Sequence, residues 1–164
     1  MALRRDAGGA VVVRVAAMLI ALAGIDWDTT FLPDNLTLPL LWAGMVSAAL
    51  GWTIPLADAV WGAVAGYLSL WSVYWLFKLL TGKEGMGFGD FKLLAALGAW
   101  LGLKMILPIV LIASLIGAVV GIVMKMSRSL REGRYVPFGP FLAGAGLTVM
   151  LAGPARVLGW IGWA

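Results

Sequence analysis

The sequence contains no cysteine and no histidine. Those two absences remove Cys/His zinc sites, any thiol nucleophile and any Ser-His-Asp triad, so acid–base chemistry is left to Asp, Glu, Lys and Tyr. No cofactor and no metal are expected. Charge is scarce too: Asp, Glu, Lys and Arg make up 12% of the 164 residues, about half the share found in soluble domains. Basic runs interleaved with aromatic residues are missing, which argues against a nucleic-acid partner. No internal repeat and no soluble domain can be read along the chain.

What the chain does have is apolar length. Hydrophobic residues account for 62%, and there are nine tryptophans, a residue that gathers at membrane interfaces. The expectation is an all-α, polytopic membrane protein with about six transmembrane helices, in a single domain over residues 1–164. The opening Met-Ala-Leu-Arg-Arg, with a later Ala21-Leu22-Ala23, resembles a signal peptide. Arg14 interrupts its apolar region, however, and several spans would remain after cleavage, so the segment is read as the first helix. The predicted helices cover residues 10–25, 36–52, 59–80, 91–103, 106–124 and 138–152. Asp26, Asp28, Pro33, Asp34 and Asn35 form a polar loop after the first helix, with Pro33-Asp34 as turn and N-cap of the second. Lys104 and Pro108 divide the long apolar run 93–124. The tail, with Trp160 and Trp163, reads as interfacial.

Six alternating spans put the connections after the first, third and fifth helices on one side. Asp26 ends the first helix and Asp90 begins the fourth, so parity places them on the same face, 64 residues apart in sequence. Their helices are expected to pack as neighbours and to hold both carboxylates near the membrane surface. That face carries Lys83, Lys92, Lys125, Arg128, Arg131 and Arg134, against Arg4, Arg5, Lys104 and Arg156 on the other. The excess of positive charge makes it the cytoplasmic side.

The stretch Gly-Lys-Glu-Gly-Met-Gly-Phe-Gly-Asp-Phe-Lys, residues 82–92, sets charges and four glycines between apolar runs. Glycine permits positive φ and close backbone approach, so a loop ending in Gly87-Phe88-Gly89-Asp90 can carry an extended strand past a carboxylate; it can equally be a flexible turn with solvated charges. Two carboxylates held close do not both ionise easily. The ionised one accepts a proton from water while the protonated one polarises a peptide carbonyl. This is aspartyl-protease chemistry, and it needs no His, Cys or metal.

Residues 25–44, 85–102 and 135–146 resemble three segments of the type IV prepilin peptidases, the GxGD family of membrane aspartyl proteases. The resemblance covers nearly all the chain beyond about residue 16. It implies that Asp90 and Asp26 are the catalytic pair and that prepilins or type II secretion pseudopilins are the substrates. Cleavage would follow a Gly on the cytoplasmic side of the bacterial inner membrane. Asp28, Asp34, Gly87, Gly89 and Lys92 are expected to bind substrate or shape the loop, Lys92 either acting on a nearby carboxylate or snorkelling to headgroups. Pro137, Gly139 and Pro140 line the substrate path or shape the entry into the sixth helix. Bifunctional family members carry an N-terminal Cys-x-x-Cys zinc module linked to N-methylation. This sequence has no Cys and begins just before the first of these segments, as a short, peptidase-only member or a truncated chain would, so methyltransferase activity is not expected of it.

Two other functions fit the composition. One is a small ion-coupled transporter using the same aspartates, which would need polar residues at mid-membrane. The other is a non-catalytic assembly factor.

Overall fold

A computed structural model describes residues 2–29, 33–82, 88–127 and 138–162, with residues 2–8, 29, 88, 154 and 155 described by backbone alone. These residues form seven α-helices: α1 (Ala2–Thr29), α2 (Asp34–Ala49), α3 (Leu56–Thr81), α4 (Phe88–Leu101), α5 (Ile106–Met126), α6 (Gly139–Ala152) and α7 (Pro154–Trp160). A single 3-10 turn, Leu103–Met105, leads into α5. There is no strand among the described residues. The protein is a helical membrane protein.

Long and short helices alternate. Gly9–Asp28, Leu56–Thr81 and Leu103–Met126 are long and apolar enough to cross a bilayer. α2, α4 and α6 have 16, 14 and 14 residues, only ~21–24 Å at 1.5 Å per residue. α1 is longer than the apolar run predicts. The polar Asp26 and Asp28 extend it to Thr29 instead of ending it. α4 likewise starts early, at Phe88, so Gly89 and Asp90 are helical and not part of a loop. An acidic residue suits the positive end of a helix, and the Leu- and Ala-rich run behind it propagates readily. The break before α5 falls at Gly102, whose φ of 93° a side chain would disfavour. Pro108 does not make the break; it sits in the first turn of α5, where its missing N–H costs nothing.

α4 is the centre of the bundle. From Asp90 to Trp100 every residue but Lys92 is buried, as expected of a helix apolar on all sides. It lies on α3 backbone to backbone. A Cβ on Gly62 or Gly98 would fall on the other's carbonyl, and one on Gly66 would lie 2.7 Å from the Leu94 oxygen. Small residues permit this approach between membrane helices. The opposite side of α4 meets α2, where the Trp100 indole N–H donates to the Leu40 carbonyl at 2.8 Å. α1 runs along α6, and α5 covers another side of α6.

The aspartate-bearing helices are not packed neighbours, contrary to expectation. α2 and α6 each touch both α1 and α4, which have no extended interface of their own. Because α4 buries most of its length on α3 and α2, only its first turn reaches toward α1. The Gly62–Gly98 and Gly66–Leu94 contacts set an antiparallel register. That register places Asp90 level with Leu70, ~16 Å short of the end of α3 at Thr81.

Candidate active site

Asp26 and Asp90 are the buried carboxylates among the described side chains, 4% and 6% exposed. Asp28, Asp34 and Asp58 are all exposed. On α1, two residues turn a side chain by ~200°, so Asp26 faces the bundle while Asp28 faces out. Asp58 lies in the first turn of α3, close to Gly102 at the other end of α4.

Three elements position the pair. α1 presents Asp26 near its C-terminus, and α6 approaches it end-on. The backbone N–H of Gly139, first residue of α6, donates to the Asp26 carboxylate. This directs the positive end of α6 at a negative side chain. Trp27 packs edge-on against Phe141, centroids 6.4 Å apart, and holds α1 to α6 at this level. The second carboxylate oxygen of Asp26, Oδ2, is buried and has no hydrogen-bond partner among the described residues. A buried oxygen without a donor is costly in a finished structure and marks a place where another group can bind. α4 supplies Asp90 in its first turn. Asp90 is buried there, with the Asp26 carboxylate as its charged neighbour. Asp90 therefore sits close enough to Asp26 to feel its charge.

The sequence-predicted residues divide clearly. Asp26 and Asp90 come together. Gly89 lies next to Asp90 in α4 and is half-buried. Gly87 lies outside the described residues, as do Lys83, Glu84, Arg128, Arg131, Arg134, Pro137 and Trp163. Asp34 does not cap α2. Pro33 occupies the N-cap, and Asp34 is the first helical residue. Its carboxylate instead accepts from Lys92 Nζ at 2.8 Å on each oxygen, so Lys92 has a protein partner where headgroup phosphate was expected. Among the described residues no group of three or more Asp or Glu is arranged to hold a metal.

Sequence reasoning missed the donor at Gly139, the Lys92–Asp34 pair and the aromatic seat of Phe91 between Tyr67 and Tyr74. None of these leaves a local signal. The α3–α4 contact did leave one: Gly62 and Gly66 have the i, i+4 spacing of a close-packing membrane-helix face.

The chain is 57% identical over 136 residues to a prepilin leader peptidase/N-methyltransferase of Aeromonas salmonicida, covering 83% of this chain and 47% of that protein. It is 52% identical over 156 residues to the Xanthomonas campestris pv. campestris protein of the same name, covering 95% and 54%. With the Pseudomonas aeruginosa one it shares 54% over 135 residues, covering 82% and 47%. The chain thus spans about half the length of these curated relatives. No solved structure matches it. Residues 13–122 match the type IV leader peptidase family along a segment that contains both buried aspartates. With two-thirds of its length matched and identities above 50%, the chain belongs to the type IV leader peptidase family.

Proposed function

We propose that this chain is a membrane aspartyl endopeptidase that removes the leader peptide from type IV prepilins or type II secretion pseudopilins. The observation that carries the reading is the buried pair itself: two neighbouring carboxylates from different helices, with one Asp26 oxygen that has no donor among the described residues. Such a pair holds one proton between two groups. We assign that proton to Asp90 and the role of base to Asp26, which already accepts the Gly139 N–H.

A water between them gives a proton to Asp26 as its oxygen attacks the scissile carbonyl carbon, and Asp90 protonates the carbonyl oxygen. The resulting diol collapses: the C–N bond breaks, the amine takes the proton from Asp26, and one diol hydroxyl returns a proton to Asp90. In this reading the site faces the cytoplasm at the bacterial inner membrane. The acidic residues around it, Asp28 among them, draw a basic leader by charge, while the apolar pilin helix lies in lipid.

The test is cleavage of a prepilin-like peptide by the purified chain in detergent. Asp26→Asn and Asp90→Asn each abolish cleavage, by at least ~10²–10⁴-fold, and the double variant is little worse because the pair acts as a unit. Asp28→Asn, whose side chain is exposed, keeps most activity. Full activity in Asp90→Asn overturns the assignment. An inactive Asp28→Asn beside an active Asp26→Asn moves the base by two residues. A wild-type chain that moves ions across vesicles but cleaves nothing would favour the transporter reading.

A further inference from the structure

Asp90, Phe91 and Lys92 are consecutive, so their side chains leave α4 at ~100° intervals. Each meets a different element. Asp90 points to the Asp26 carboxylate. Phe91 is fully buried and sits edge-on to Tyr67 and Tyr74 of α3, at centroid distances of 5.7 and 5.6 Å. Lys92 reaches α2 and gives both Asp34 oxygens a 2.8 Å contact. We propose that the Lys92–Asp34 ion pair is a positioning device: it ties the first turn of α4 to the first turn of α2 and so fixes where Asp90 stands relative to Asp26.

The argument rests on the peptidase reading of the aspartate pair and goes beyond it in one respect. The first turn of a helix is its weakest part, because its amides lack intrahelical partners. Gly89 stands inside that turn, and a glycine weakens a helix further. Since α1 and α4 share no extended interface, direct packing does not set the distance between the two aspartates. It is set by what holds each helix end. Phe91 pins the α3 side of the turn. On the α2 side, Lys92 supplies the side-chain tie at this level, to Asp34. With side chains 31% and 50% exposed, the pair adds little to global stability, which separates a positioning role from a merely structural one.

The absence of cysteine supplies a readout independent of catalysis. In the full chain, Asp26→Cys/Asp90→Cys forms a disulfide under mild oxidant at a rate that reports how often the two positions meet. Adding Lys92→Met or Asp34→Asn lowers that rate severalfold, and Lys92→Arg, which keeps a two-pronged contact, restores it. In the otherwise wild-type chain, Lys92→Met and Asp34→Asn each lower kcat roughly 10–100-fold with KM nearly unchanged, as small misplacements of reacting groups do. The double variant is no worse than either single one, because both remove the same tie. An unchanged disulfide rate overturns the proposal even if the peptidase reading stands. A change in KM alone also overturns it, since Asp34 and Lys92 would then be touching substrate. A lowered disulfide rate in a chain that cleaves no peptide keeps the positioning role and discards the peptidase reading.

Discussion

Replacing Asp90 with Asn should make the protein more stable while destroying its activity. Asp90 is 6% exposed and lies beside the Asp26 carboxylate, itself 4% exposed. Two buried carboxylates side by side resist ionising together, so the folded chain bears the cost of keeping charge out of water next to like charge. Asn matches Asp in size and brings no charge to bury. Relieving a like-charge juxtaposition is worth a few kcal/mol. At ~2–4 °C per kcal/mol, Asp90→Asn should melt on the order of 5–10 °C above the wild type. Thermal unfolding in detergent, followed by circular dichroism, measures it. Asp28→Asn, exposed two residues from Asp26, is the control and should not shift the curve. A wild type more stable than Asp90→Asn would refute the reasoning: Asp90 would not be a buried acid set against a second one.

Other outcomes follow from the same structure. Gly98→Val should fail to give a folded chain, because its side chain would land on the Gly62 carbonyl, whereas Gly144→Ala, with open space around it, should purify and melt normally. Trp100→Phe removes the indole N–H that donates to the Leu40 carbonyl and should lower stability by about 0.5–1.5 kcal/mol in denaturant titration. Asp58→Asn, exposed at the opposite end of α4 from Asp90, should cleave at close to the wild-type rate. Chelators should leave peptide cleavage intact, because water activation is assigned to two carboxylates in a chain without His or Cys; loss of cleavage that zinc restores would show the chemistry to be misread.

The sequence by itself determined the class of the protein and its chemical vocabulary. Scarce charge and long apolar runs dictate membrane helices, because buried backbone in lipid must satisfy its own hydrogen bonds. The lack of His and Cys leaves acid–base work to Asp, Glu, Lys and Tyr, and the motifs around Asp26 and Asp90 single out those two for the proposed role. Helix ends were less legible. Polar residues were read as loop, yet Asp26, Asp28, Gly89 and Asp90 all lie within helices, since hydrogen bonding along a helix does not stop where hydrophobicity does.

Only the tertiary structure decided how the pair is held. It turned Asp26 inward and Asp28 outward, and aimed the Gly139 N–H from a helix more than a hundred residues away at Asp26. It also kept α1 and α4 apart and joined Lys92 to Asp34 across 58 residues. Each of these depends on the angle and register at which helices meet. Those are set by where glycines let two backbones touch, as Gly62 and Gly98 do, and by which faces remain to be covered. Periodicity along one helix carries no record of the rotation of the next, so a sequence can name both aspartates without showing what brings them together.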